Sequence, residues 1–529
     1  MTDIAQNTDQ SNSGWYMLRI SLIIALGGFL MGFDASVISG VVGFIETEFS
    51  LSKIELGWAV ASLTLTATLA MMTAGPLSDR IGRRKVLMIA AALFAVSAIA
   101  SAVAPDFLTL LVARMIGGLG VGAALIIAPM FIAEMAPADS RGRLVSLNQL
   151  NIVVGISAAF FSNYLILQLG QSELAFAEAL RLGEWGWRWM LGVEAIPAII
   201  YLVAMLTVPE SPRWLAMRGR DEQALNVFTD VYGAAQARRQ LAVVHESLQA
   251  DTGARKVSVK ELFAPAMKLV MTVGIAVAVL QQITGINAVF FYAPMIFEQS
   301  GIGTDAAFMQ AVLVGIVNLG FTVLAILLID RIGRRPLLIV GLAGIAVCML
   351  TLAYGFGAGN YTLTGVAIDA LPADIDRAAL IPLTDVVFAN NVEFERALSA
   401  AIGVDVFQQY QSALVSAAAD LNPVLILAGI LGFVACFAMS LGPVMWVLFS
   451  ELFPNRLRGL AISFAGLVNS AVSFTVQLVF PWELANLGNA VTFLMFGIFA
   501  VVGLVFVVMK VPETRGRSLE EIEQLLVRV

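Results

Sequence analysis

The stretch Asp79-Arg80-Ile81-Gly82-Arg83-Arg84-Lys85 returns later in the chain as Asp330-Arg331-Ile332-Gly333-Arg334-Arg335-Pro336. Each copy is a short basic loop between two long apolar segments, and the copies lie about 250 residues apart. A loop repeated at the same relative place points to a chain built from two similar halves. Working outward from each copy, the flanking segments run apolar for long enough to cross a lipid bilayer, which takes roughly 20 residues of helix.

The whole composition agrees. Of 529 residues, 59% are hydrophobic and only 13% are charged, against about 25% charged in a water-soluble domain. So few charges cannot cover a soluble surface of this size, which excludes a soluble enzyme. The net charge of −7 gives no basic excess for nucleic acid. The two cysteines, Cys348 and Cys436, sit in apolar stretches, and the single histidine, His245, sits in a polar one. Neither a disulfide framework nor a metal site is expected from them. The polar first dozen residues lack the basic region of a cleavable leader, so the first apolar segment reads as a retained span.

Twelve spans are expected, at 17–43, 56–77, 86–104, 108–134, 141–167 and 187–208, then 267–298, 306–329, 336–357, 422–450, 457–482 and 489–511. The fold class is therefore all-α membrane protein, with two pseudo-symmetric six-helix bundles. The domain plan is 1–208 for the first bundle, 209–266 for a linker with short helices, 267–511 for the second bundle, and 512–529 for a tail. The loops after spans 2, 4, 8 and 10 carry the arginines and lysines. By the positive-inside rule that side is cytoplasmic, together with both termini and the linker. The other long connection, 358–421, is acidic, has only Arg377 and Arg396 as basic residues, and falls on the outer side. A structureless loop of that length is unexpected in a compact protein, so small helices are expected within 390–419.

Ionisable residues inside a span are costly and mark function by default. Asp34 (span 1), Arg114 (span 4) and Glu194 (span 6) lie at similar depths, roughly 10–13 Å from the outer ends of their spans at 1.5 Å per residue. A carboxylate beside an arginine stays ionised, and one parted from it in an apolar site takes a proton, which is the physics of a proton switch. A fixed structural ion pair is the blander reading. Gln281, Gln282, Asn318 and Asn469 fall near the midplane, and Gln149 does too if its helix starts near Asp139. Amides both donate and accept, which suits a neutral polyhydroxylated ligand, although a lone amide more often holds two helices together. Span 7 is interrupted at Thr284-Gly285-Ile286-Asn287 and span 10 at Gly442-Pro443, and broken spans at matching places point to a midplane site. Trp446, Tyr292, Phe291 and Phe33 are candidate aromatic faces for a sugar ring. On the basic side, Asp79, Arg83, Arg84, Arg143, Arg213, Asp330, Arg334, Arg335 and Arg458 are expected to form a latch with Glu134, Glu210 and Glu451, holding the two halves together until that side opens.

At this point the chain resembles the sugar porter branch of the major facilitator superfamily, over roughly 17–357 and 422–527. The carriers of the resemblance are Gly75-x-x-x-Asp79-Arg80-x-Gly82-Arg83-Arg84, Arg114-x-x-Gly117-Gly118-x-Gly120-x-Gly122 running to Pro129-x-x-x-Ala133-Glu134, and Pro209-Glu210-Ser211-Pro212-Arg213. Gln281-Gln282-x-x-Gly285-Ile286-Asn287 with Tyr292-Ala293-Pro294, Gly442-Pro443-x-x-Trp446, and Pro512-Glu513-Thr514-Arg515-Gly516-Arg517 complete it. The resemblance implies alternating access to one central monosaccharide. It implies sugar contacts at Gln149, Gln281, Gln282, Asn287, Asn318 and Trp446, and proton coupling at Asp34, Arg114 and Glu194, as in the family's bacterial proton symporters. The family's facilitative animal carriers lack the carboxylate at the position of Asp34.

Three departures stand out: Ile326 replaces the Gly75 equivalent, Leu467-Val468-Asn469-Ser470 lacks the tryptophan common in span 11, and the insert 358–421 is long. The expected function is symport of a pentose or hexose with a proton into the cell, without catalysis and without a cofactor or metal. The expected partners are the sugar, the proton and the lipid of a cell membrane (the inner membrane if the source is bacterial), with the chain acting as a monomer and no nucleic acid. The first rival is a facilitative uniporter in which Asp34–Arg114 is structural. The second is a sugar receptor, disfavoured because the sequence runs on only briefly past Arg517.

Overall fold

The computed structural model describes residues 2–253, 258–454 and 456–515. Among them are twelve helices long and apolar enough to cross a membrane. Spans 1 to 6 are Trp15–Gly40, Lys53–Ile81, Arg83–Ala102, Phe107–Met135, Ser140–Gly170 and Gly186–Met205. Spans 7 to 12 are Pro265–Phe291, Thr304–Ile329, Arg334–Gly357, Pro423–Leu452, Arg458–Asn486 and Asn489–Lys510. The shortest, 20 residues, is about 30 Å long, enough for the hydrocarbon core. Large apolar side chains such as Met72, Ile196, Leu327 and Val502 are more than half exposed, as expected where the surrounding solvent is lipid.

The chain divides into two compact units. Unit 1 comprises Met1–Ala35, Leu65–Ile156 and Leu191–Lys256, and unit 2 comprises Ser36–Thr64, Ser157–Met190 and Val257–Val529. In unit 1, the linker carries helices Pro212–Met217, Asp221–Tyr232 and Ala234–Gly253. The first of these starts on the Ser211 cap with Pro212 at its first turn, a position where proline's missing N–H costs nothing.

Three spans are broken. Span 7 stops at Ile283 and restarts at Ile286 because Gly285 takes φ +92°, and a Cβ there would lie 2.7 Å from the Phe496 ring. Span 10 breaks at Ser440, whose φ and ψ of −127° and −94° leave the helical region. Span 6 breaks at the turn Val193–Glu194, between helices Gly186–Gly192 and Ala195–Met205. The sequence pointed to the first two interruptions and missed the third.

The insert 358–421 is a small folded module of unit 2. It contains the expected helices, Asn391–Ile402 and Val404–Ala418, and also a three-stranded antiparallel sheet that its sequence did not suggest. In that sheet β1 (Asn360–Thr362) lies between β2 (Val387–Phe388) and β3 (Ala419–Asp420). Strands of two or three residues are too short to show alternation. The module has its own apolar core, with Tyr361, Leu380, Phe394, Leu398 and Leu414 all buried.

Candidate functional site

In unit 1 the three intramembrane charges are drawn together. The Arg114 guanidinium forms an ion pair with the Asp34 carboxylate. Its two terminal nitrogens also donate to the Asp34 carbonyl, each at 3.1 Å. Asp34, Arg114 and Glu194 are all 98–99% buried. The charges of both Asp34 and Arg114 act on Glu194, which sits at the break in span 6. Asp34 Oδ2, Arg114 Nε and Glu194 Oε1 are buried without a hydrogen-bond partner. Gly117, three residues on from Arg114, makes the approach possible. A Cβ there would fall 2.6 Å from Asp34 Oδ2 and 2.5 Å from Ser97 Oγ.

In unit 2 the amides form a continuous network. Asn469 Nδ2 donates to Gln281 Oε1 at 2.8 Å and to the Ala278 carbonyl at 2.9 Å. Gln282 Nε2 donates to Gln281 Oε1 and Asn469 Oδ1, both at 3.2 Å. Asn287 Nδ2 donates to Gln282 Oε1 at 2.8 Å and to Ser473 Oγ at 2.7 Å. Gln477 Nε2 also donates to Ser473, at 2.7 Å, and Thr64 Oγ1 donates to Gln477 Oε1 at 2.9 Å. Gln281 Nε2 reaches the Leu441 carbonyl at 3.2 Å, just past the break in span 10. Two of the three breaks adjoin this network: just past the break in span 7 Asn287 bonds back to Gln282, and just past the break in span 10 Leu441 offers its carbonyl to Gln281.

Ser473, Gln477 and Thr64 were not among the expected residues. Ser473 and Gln477 follow Asn469 at four-residue steps, so helical spacing alone places all three on one face of span 11. Thr64 carries no such signal.

The remaining expected contacts divide. Asn318 is buried on span 8 but makes no hydrogen bond to this network. Gln149 is exposed on span 5 in unit 1, while its neighbour Asn148 is buried. Trp446 is 43% exposed, edge-on to Phe449 at 6.0 Å, so a ring face is open. Tyr292 is not an available aromatic face. It is fully buried, its hydroxyl donates to the Gln477 carbonyl at 3.0 Å, and its ring packs on Phe480. Phe33 is likewise covered, at 5% exposure beside Phe29.

The basic loops close on carboxylates twice over. In unit 1, Arg83 pairs with Glu134 at 3.0 Å and with Asp79 at 2.8 Å. The Glu210 carboxylate accepts the backbone N–H groups of Arg83, Arg84 and Ser211 at 2.9–3.1 Å. Burial pushes the Glu210 carboxyl above its usual range, against the pull of those three donors. In unit 2, Arg334 pairs with Glu451 at 2.7 Å, and Glu513 accepts the N–H groups of Arg334 and Arg335 at 3.2 and 3.1 Å. Arg84 and Arg335 each turn to a backbone carbonyl at the end of a later helix, Leu206 and Val508.

These pairs differ from a latch between halves, since each joins elements of a single unit. Glu134 pairs with Arg83 and not with its near neighbours in sequence. Arg143 is exposed and makes no ion pair or hydrogen bond among the described residues. Arg458 Nε caps the Phe453 carbonyl at 3.2 Å, and Arg213 is half-buried. The side chain of Asp330 and residues 516–529, Arg517 among them, lie outside the described residues.

The family model for sugar (and other) transporters matches residues 20–370 and 397–526. The chain belongs to this family. Among curated relatives, this sugar transporter is 34% identical to the arabinose-proton symporter of Bacillus subtilis (strain 168), over 98% of this chain and 97% of that one. It is 34% identical, over the same shares of the two chains, to the D-xylose-proton symporter of Escherichia coli (strain K12). Among solved structures it resembles the inward open conformation of the xylose transporter XylE from E. coli. The TM-score is 0.73 at 32% identity, covering 97% of this chain and 100% of that one. The transporter is a multi-pass membrane protein with the major facilitator fold.

Proposed function

We propose that this transporter carries a pentose or hexose into the cell together with a proton, by alternating access. The observation that carries the coupling is the buried group Asp34–Arg114–Glu194. Two carboxylates and one guanidinium leave one negative charge uncompensated in a low-dielectric site, and a single proton balances it. Asp34 holds Arg114 when ionised and releases it on taking a proton. The amide network of unit 2 binds the sugar. Without ligand these side chains satisfy one another, and sugar hydroxyls replace those bonds one for one. Gln281, Gln282, Asn287, Asn469 and the open face of Trp446 are the proposed contacts, with Asn318 joining when sugar is bound. A sugar that bound both access states equally could bias neither, so coupling resides in proton-dependent populations.

The basic loops and both termini face the cytoplasm in this reading, and the protein works as a monomer. The arginine–glutamate staples hold the loop shape within each unit during the cycle. The test is sugar-driven alkalinisation of the medium by energy-starved cells given xylose, arabinose, glucose, galactose or fructose in turn. Alkalinisation by one sugar, lost in Asp34→Asn, is the expected result. Sugar flux without proton movement would leave a uniporter and make Asp34–Arg114 structural.

A further inference from the structure

In the half of span 2 away from its basic loop, the stretch up to Thr64 belongs to unit 2 and packs on span 11. A Cβ at Gly57 would lie 2.0 Å from the Leu478 carbonyl oxygen, so the two backbones meet at a distance that glycine permits. The Trp58 and Phe474 rings meet edge-on, 5.4 Å apart at 69°. One contact in this packing is polar: Thr64 Oγ1 donates to Gln477 Oε1 at 2.9 Å.

Gln477 also reaches the other way, toward the amide network. It is fully buried. Its Nε2 donates to Ser473 Oγ at 2.7 Å, and its backbone carbonyl accepts the Tyr292 hydroxyl at 3.0 Å. Ser473 Oγ accepts Asn287 Nδ2 at 2.7 Å, and Asn287 Nδ2 bonds Gln282 Oε1 at 2.8 Å. A chain of four hydrogen bonds thus runs from Gln282 through Asn287, Ser473 and Gln477 to Thr64. Along span 11, Gln477 lies eight residues, roughly 12 Å, beyond Asn469 toward the end opposite the basic loops. A carboxamide is planar, so holding its nitrogen on Ser473 aims its oxygen elsewhere, and here it is aimed at Thr64.

The Thr64 bond distinguishes two arrangements of span 2. With span 2 packed on span 11, Thr64 is the donor that the buried Gln477 Oε1 has among the described residues. Without it, a buried acceptor would go unpaired, which costs the packed arrangement free energy. If span 2 moves off span 11, water reaches both groups and replaces the bond at little cost. The bond therefore favours the packed arrangement specifically.

We infer that Gln477 is a positioning residue of the transport cycle, tying the amides that take the sugar to the part of span 2 that packs beside them. The inference rests on the sugar-transport reading above. An ordered network aims Gln477 at Thr64, and closure of span 2 in turn holds Gln477, Ser473 and Asn287 in place. Occupancy of the sugar site and closure on the side opposite the basic loops are thereby linked through one side chain that is not itself a proposed sugar contact.

The experiment uses the full chain in right-side-out and inside-out membrane vesicles without a proton gradient, with radiolabelled D-xylose, L-arabinose and D-glucose offered to one face at a time. Thr64→Val keeps the side-chain shape and removes the donor. It should tighten half-saturation from the outer face and weaken it from the cytoplasmic face, so that the outer-to-cytoplasmic ratio falls about three- to tenfold, the worth of one hydrogen bond. Gln477→Leu should shift the ratio the same way, and adding Thr64→Val to Gln477→Leu should shift it no further. Thr64→Ser, which keeps the hydroxyl, should behave as the wild type. Half-saturation weakened equally on both faces would make the pair part of the sugar site or of general packing. That result, an unchanged ratio, or additive effects of the two substitutions would overturn the positioning role and leave the carrier reading intact. A wild type that carries none of the three sugars from either face would overturn both.

Discussion

The two basic loops are nearly superimposable in chemistry, and the polar groups buried in the two units are not. Around Gly82 and around Gly333 the same parts recur. A glycine at φ near +100° starts the next helix, a glutamate from a distant helix end caps that start, and an arginine pairs with a second glutamate. Yet unit 1 buries Asp34, Arg114 and Glu194, whereas unit 2 buries a chain of uncharged amides. The repeat preserved the parts that shape a helix–loop–helix corner and let the interiors diverge. That divergence fits the proposed coupling, in which one unit would respond to protons and the other to a neutral sugar.

The sharpest way to break the comparison is to remove the charge from unit 1. Asp34→Asn should abolish proton-driven sugar accumulation while leaving sugar exchange across proteoliposomes, measured by counterflow. Loss of both would make Asp34 part of the sugar site or of the fold. The reciprocal change, Gln282→Ala, should weaken sugar binding about tenfold, the worth of roughly one hydrogen bond, with proton:sugar stoichiometry unchanged. Altered stoichiometry would erase the division of labour between units.

The loops offer a finer test. The Arg83–Glu134 pair is more deeply buried than Arg334–Glu451, with side-chain exposures of 6% and 11% against 12% and 21%. Arg83→Ala should therefore lower thermal stability and transport rate more than Arg334→Ala, moving toward the roughly 3–5 kcal/mol cost of an orphaned buried charge. Equal losses would mean that burial does not set the difference. Similarly, Gly82→Ala should destabilise more than Gly333→Ala. Both force an unfavourable φ, but a Cβ at 82 would lie 2.2 Å from a Glu210 oxygen and one at 333 would lie 2.8 Å from Glu513. Melting curves in detergent would rank them. The smallest effect is expected at Arg143→Ala, an exposed side chain without a described partner, where transport should stay within experimental scatter.

The difference between regions also governs what could be read from the residues. Span positions follow from runs of apolar side chains, because lipid demands about 20 of them and forbids unsatisfied backbone. The break in span 7 was legible because Thr284-Gly285 interrupts such a run. The break at Val193–Glu194 was not, because neither residue is a helix breaker. Gln281, Gln282 and Asn469 were legible as polar groups at a common depth, whereas Thr64 and the burial of Tyr292 were not, since both depend on which helix packs against which.

By itself, the sequence determined the membrane environment, the twelve helices, the twofold repeat and the identity of the charged and amide side chains. Each of these depends on local composition or on spacing along one helix. Tertiary structure alone decided that Glu134 answers Arg83, that Glu210 and Glu513 cap the loops, that Asn469 meets Gln281, and that the insert folds around its own core. The physical reason is the same in each case. These contacts join residues far apart in the chain, and their energy depends on distances of a few ångströms that only packing sets.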